Sequence, residues 1–149
     1  MVSIIDIQRV EKVVKYEFHD KSLIRKALKA PSKIQDKGTG QILNIDDGNR
    51  GLAQLGHKLL EFILIDQWYR AGSDRESTNH TITTKTNNDT LANIAKRTGI
   101  DTCIVPCERQ GRDSPSPKTL KLAVTAVIGA VWIDSEDLSV TSHAARNLR

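Results

Sequence analysis

Apolar and polar residues alternate along this chain mostly at helical spacing. Between positions 4 and 16, Ile4, Ile7, Val10, Val13 and Val14 recur among charged residues in the rhythm of an amphipathic helix. Asp20 is placed to cap a second helix over 21–30, which Pro31 ends. Residues 33–51, rich in Gly, Asp and Asn, read as a loop. The strongest element spans 52–69, where Leu52, Leu55, Leu59, Phe62, Ile63 and Trp68 make a wide apolar stripe. A polar stretch follows at 70–88. A short helix is expected over 89–98, with Leu91, Ile94 and Ala95 inward and Gly99 as its C-cap. Residues 103–117 carry three of the four prolines and read as irregular. Residues 118–134 form a helix that is apolar nearly all round and therefore central, and 135–149 a weaker one. With no long strand pattern, internal repeat or low-complexity tract, the fold class is all-α.

The length of 149 residues suits one domain over 1–149. An apolar share of 38% and a charged share of 27% describe a globular chain rather than a disordered one. The longest apolar run, 122–133, falls well short of the ~20 residues that cross a bilayer. No membrane partner is therefore expected. The N-terminus reaches Asp6 at once, unlike a secretory or transit segment. Two cysteines make no disulfide framework, which favours an intracellular, reducing compartment, cytoplasmic or nuclear. Cys103 and Cys107 have no His at ligand spacing and read as ordinary thiols rather than a zinc site.

The formal charge of +4 becomes informative where it is uneven. Positions 21–37 hold six basic residues and one acid, Asp36. Lys21, Arg25 and Lys29 recur every fourth residue and would form one positive face, either solvated or turned toward phosphates. The acidic pair Asp46 and Asp47 reads as a cap for the next helix, and Asp134 or Ser135 as the N-cap of the last one. Gly56 and Gly129 sit inside strongly helical segments, where close approach of two helices is the natural cause. Trp68 and Trp132 read as core or interface anchors.

Two segments carry a family resemblance. Asn49-Arg-Gly-Leu-Ala-Gln-Leu-Gly-His-Lys-Leu-Leu60 resembles the ribonuclease III signature Asn-Glu-Arg-Leu-Glu-Phe-Leu-Gly-Asp-Ala-Val-Leu. Leu120-Lys-Leu-Ala-Val-Thr-Ala-Val-Ile-Gly-Ala-Val-Trp-Ile-Asp134 resembles that family's later helix, Ala-Asp-Val-Phe-Glu-Ala-Leu-Ile-Gly-Ala-(Ile/Val)-Tyr-Leu-Asp. Tyr16-Glu-Phe-His-Asp-Lys-Ser-Leu-Ile24 is similar to its opening Tyr-x-Phe-x-(Asp/Asn)-x-x-Leu-Leu. Ala27, Leu28 and Ser32 are similar to its Ala-Leu-Thr-His-x-Ser, and Asn88 to Ala95 with Gly99 to its Asn-x-x-Leu-Ala-x-(Ile/Leu)-Ala and following Gly. These matches run in family order over nearly the whole chain. The resemblance implies the helical endonuclease-domain fold. With 15 residues left after Asp134, no double-stranded-RNA-binding domain is expected to follow.

The resemblance also implies a two-metal hydrolysis of RNA, in which Mg²⁺ is held by carboxylates converging from two helices. The positions that would hold it are Ala53, His57, Leu122 and Thr125, and none is a carboxylate. The signature's first Glu is replaced by Arg50. No metal or other cofactor is therefore expected, and no catalytic residue. His57, with Glu61 one turn on, makes a poor catalytic set without a nucleophile or an orienting group. Arg50, Lys58 and Lys121 bring positive charge toward the same cleft, so that phosphate could be met directly and not cut. Family members act as dimers through the signature helix. Leu52, Leu55 and Leu59 would serve that seam, with Gln54 standing where the family has a Phe.

The chain is thus expected to be a catalytically inactive ribonuclease III-like protein that is dimeric and binds double-stranded or structured RNA. Three alternatives stay open. One is a structural component of a ribonucleoprotein, of the mitochondrial large-ribosomal-subunit kind, which would make the compartment mitochondrial. Another is a regulator forming a heterodimer with an active ribonuclease III. The third is a residual nuclease, which the missing carboxylates count against.

Overall fold

The computed structural model describes residues 2–106 and 115–149, and the fold is helical as expected. Helix α1 (Ile4–Val14) starts in a capping box. The Ser3 hydroxyl accepts from the Asp6 N–H, and the Asp6 carboxylate accepts from the Ser3 N–H. Helix α2 (Lys21–Ala27) is capped by Asp20 as predicted, but it ends at Leu28, before Pro31 is reached. Next comes an antiparallel hairpin, β1 (Ser32–Gln35) and β2 (Ile42–Asp46), where a loop was expected. Its turn is built by Asp36, whose carboxylate accepts from the Gly38 N–H and whose carbonyl accepts from Gly40, a residue at φ +73°.

The long helix α3 (Arg50–Arg70) follows. Helix α4 (Arg75–Thr86) then occupies most of the stretch read as merely polar. Its five threonines are poor helix formers. Each hydroxyl donates to the carbonyl four residues back: Thr78 to Asp74, Thr81 to Ser77, Thr83 to Asn79, Thr84 to His80 and Thr86 to Ile82. Asp74 caps its start. Helix α5 (Asn88–Thr98) buries Leu91, Ile94 and Ala95 and ends at Gly99 with φ +83°, as anticipated. A 3₁₀ turn (Ile100–Cys103) carries Cys103 into the core, where burial pushes its thiol pKa up. Cys107 lies outside the described residues.

Helix α6 (Pro117–Ser135) is the centre of the molecule, with an unbroken buried run from Ala123 to Val131. Its most extensive contact is with α3, and α5, α7 and α2 also pack on it. Helix α7 (Leu138–Asn147) is capped by Asp137 rather than by Asp134 or Ser135. Asn147 ties it back to α1 by donating to the Val14 carbonyl. Trp68 and Trp132 are half-buried and are not part of the core cluster. None of the described helices is long and apolar enough to cross a membrane.

Candidate functional site

The candidate site lies where α3 meets α6. The two helices run in opposite directions, with Leu52 facing Gly129 and Gly56 facing Thr125. Their backbones nearly touch. A Cβ on Gly56 would lie 1.7 Å from the Thr125 carbonyl oxygen, and one on Gly129 would lie 2.2 Å from that of Leu52. Only glycine permits this approach at both positions, which confirms the reading of the two helical glycines.

The helix pair is also held at its entrance. Asn49 is fully buried, donates from its side chain to the Ala27 carbonyl, and from its backbone N–H to that of Lys29. Gly48, at φ +52°, has its α-carbon so close to the Lys29 carbonyl that a Cβ there would come within 2.6 Å. The first residue of the signature is therefore structural, clamping the start of α3 onto the end of α2. Asp46 does not cap α3. Its carboxylate accepts from the Gly48 N–H and pairs with Lys29, and both interactions lower its pKa.

The contact of α3 with α6 brings the four expected metal-ligand positions to one seam. Ala53 and Thr125 are almost wholly buried, Leu122 is half-buried against the core, and the His57 side chain is 26% exposed. The Thr125 hydroxyl donates to the Lys121 carbonyl on its own helix, so it is already satisfied. His57 Nε2 lies 2.8 Å from a Glu61 carboxylate oxygen, while its Nδ1 is buried without a partner among the described residues. A pair of hard cations needs several carboxylate oxygens. A methyl, an isobutyl, an internally bonded hydroxyl and an imidazole do not fit that requirement. Glu61, one turn on from His57, is shared between His57 at 2.8 Å and Lys58 at 3.6 Å.

The basic residues are placed less freely than their spacing implied. Arg50 is 3.9 Å from Asp47, and Lys58 leans on Glu61; both are exposed. Lys121 is half-buried beside the site. Lys21, Arg25 and Lys29 do not share a helical face, because α2 ends before Lys29. Lys21 pairs with Glu11 at 2.6 Å and Lys29 with Asp46, whereas Arg25 stays exposed with no carboxylate partner among the described residues.

The expected seam is redrawn as well. Leu52 faces α6 and is 8% exposed, so it is not offered to a second chain. Leu55 and Leu59 are half-buried and Gln54 is exposed. The outward face continues through Phe62, 52% exposed, with Ile65 and Tyr69 beyond it. The helical spacing of Leu55, Leu59, Phe62 and Tyr69 is the sequence signal for this face; Phe62 stands in the apolar stripe but outside the expected seam of Leu52, Leu55 and Leu59.

The Ribonuclease III domain profile matches residues 50–136, from the first turn of α3 to the end of α6. Two solved structures of the nuclease domain of ribonuclease III from Campylobacter jejuni share the fold. One is 21% identical with a TM-score of 0.77, covering 95% of this chain and 94% of that one; its description concerns flexibility in a region involved in dimer formation. The other is 22% identical with a TM-score of 0.74, covering 99% of this chain and 95% of that one. Comparison with curated proteins gives no match. The helix pair closed by Gly56 and Gly129, the profile that spans it and the shared fold lead to one conclusion: this chain belongs to the ribonuclease III domain family.

Proposed function

We propose that this protein is a catalytically inactive member of the family that pairs through α3 and binds double-stranded or structured RNA without cleaving it. The carrying observation is the chemistry of the four positions Ala53, His57, Leu122 and Thr125. They offer no carboxylate, and their hydroxyl and one imidazole nitrogen are already engaged. Among the described residues no group of three or more His, Cys, Asp and Glu side chains is arranged to hold a metal ion elsewhere. Arg50 holds Asp47 only in an exposed pair, worth about 0–1 kcal/mol, and the exposed Lys58 ammonium is 3.6 Å from a Glu61 that His57 holds more closely. A phosphate can therefore replace Asp47 at Arg50 at little expense and take up the outward side of Lys58.

The exposed Phe62, Ile65 and Tyr69 on α3, beside the half-buried Leu55 and Leu59, support pairing, with a second copy or with another ribonuclease III-like chain. Duplex RNA in a gel-shift with EDTA tests the binding, and incubation with Mg²⁺ or Mn²⁺ tests the chemistry. The expected result is a shift that weakens with salt, further weakened by Arg50→Glu with Lys58→Glu, and uncut RNA throughout. Cleavage at ordinary enzyme concentrations would overturn the inactive reading, and absence of any shift would overturn the RNA one.

A further inference from the structure

Away from the α3–α6 seam, a cavity of about 370 Å³ opens between α3, α4, α5 and α7. It contains none of Ala53, His57, Leu122 or Thr125. Its floor is aliphatic, made by Leu64, Leu91, Ile94, Val124, Ile128 and Leu148. Its rim carries four cations from three directions: Lys85 on α4, Arg97 on α5, and Arg146 and Arg149 on and after α7. Among the described residues, no Asp or Glu side chain lines it. All four cations are exposed, and none has an ion-pair partner within the described residues.

We propose that this cavity is a binding site for a linear alkyl carboxylate, a fatty-acid anion whose tail lies on the aliphatic floor and whose head is gripped by the arginines at the rim. The volume falls at the small end of the range for small-molecule sites. An apolar cavity gains little from water, so an alkyl chain displaces its contents readily. A planar guanidinium takes both oxygens of a carboxylate at once, and three of the four rim cations are arginines. A nucleic-acid strand would use the cations but leave the aliphatic floor uncovered. A cationic or neutral amphiphile would use the floor and meet the rim with repulsion or with nothing.

The test is calorimetric titration of the intact protein with dodecanoate below its micellar concentration. The controls are dodecyltrimethylammonium, which has the same tail and the opposite head, and a short RNA duplex as competitor. Saturable one-to-one binding of dodecanoate is expected, with the ammonium compound weaker by roughly tenfold or more. Arg97→Glu with Arg146→Glu, both at exposed positions, should weaken dodecanoate by a similar factor while leaving the RNA shift through Arg50 and Lys58 intact. Equal affinity for the two amphiphiles, dodecanoate binding that the double variant does not change, or displacement of dodecanoate by duplex RNA would each overturn the assignment. The last outcome would make the rim part of an RNA surface.

Discussion

Asp134, at the C-terminal end of α6, holds the segment that leads into α2. Its carboxylate accepts from the Tyr16 hydroxyl at 2.6 Å and from the backbone N–H groups of His19 and Asp20 at 2.8 and 2.9 Å, with the His19 ring at 3.3 Å. Burial pushes this carboxyl pKa up, but the hydrogen bonds from Tyr16, His19 and Asp20 outweigh it, and the net displacement is below the ordinary 3.8. The same contact, together with burial, raises the Tyr16 phenol. A carboxylate whose folded pKa is depressed contributes stability that is fully present above its unfolded value and is lost as pH falls through the folded value. The contribution of Asp134 should therefore hold at neutral pH and disappear in the acid range below 3.8. Asp134→Asn sets an amide NH₂ against the backbone N–H of His19 or of Asp20, whichever oxygen it replaces, and should cost about 1–3 kcal/mol at neutral pH. The deficit should shrink toward pH 3, as followed by urea unfolding at several pH values; a pH-independent deficit would contradict the assignment. The glycines give a sharper case. Gly56→Ala forces a methyl into the Thr125 carbonyl and should lower stability by about 3 kcal/mol or more, against a cost near zero for Gly51→Ala, which meets nothing. These residue roles were partly legible: helical glycines announce close approach, whereas Asp134 read as a cap because its partners lie more than a hundred positions away.

At the scale of elements, helices with an apolar period declared themselves and elements without one did not. The segments of α3, α5 and α6 are legible from the spacing and density of their apolar residues. α4 was missed because it buries little beyond Thr78 and Thr86 and is built from residues that usually favour turns. The hairpin was missed because its strands are short, although Gly38 and Gly40 between two Ile-containing runs were a turn signal. α4 is therefore expected to be the weakest helix. Asp74→Ala, which removes the hydrogen bond to the Ser77 N–H, should cost about 1 kcal/mol and be read first as faster amide exchange within α4, with α6 unchanged. The outward face of α3 is a different matter: Leu55 and Leu59 were expected at a seam, whereas Phe62, Ile65 and Tyr69 are the more exposed side chains. If pairing uses this face, Phe62→Lys with Tyr69→Lys should convert dimers to monomers in sedimentation without altering the helical signal, because both side chains already stand in solvent. A dimer that survives the double change would place the interface elsewhere.

For the whole molecule, the proposed function keeps the family's scaffold and sets aside its chemistry. Apolar period and glycine spacing carry the scaffold, and both remain. The proposed inactivity rests on Ala53, His57, Leu122 and Thr125: Ala53 and Thr125 are nearly solvent-free, and the Thr125 hydroxyl is satisfied by its own helix. Reintroducing the family's carboxylates as Ala53→Glu, His57→Asp, Leu122→Asp and Thr125→Glu would crowd four negative charges into that seam. Unpaired, they would repel one another and be poorly solvated, so the variant should melt well below the parent in EDTA. A divalent cation that binds only the folded form raises stability by about 2.7 kcal/mol at a concentration one hundred times its dissociation constant. Mn²⁺ should therefore restore much of the lost melting temperature in the variant and leave that of the parent unmoved. A parent protein that Mn²⁺ stabilises as strongly as the variant would mean that cations are held here without carboxylates, and the inactive reading would fail on its central point. A variant that melts early and ignores Mn²⁺ would instead mean that α3 and α6 do not present these positions at ligand distance, and the proposed inactivity would then rest on the spacing of the helices as well as on their side chains.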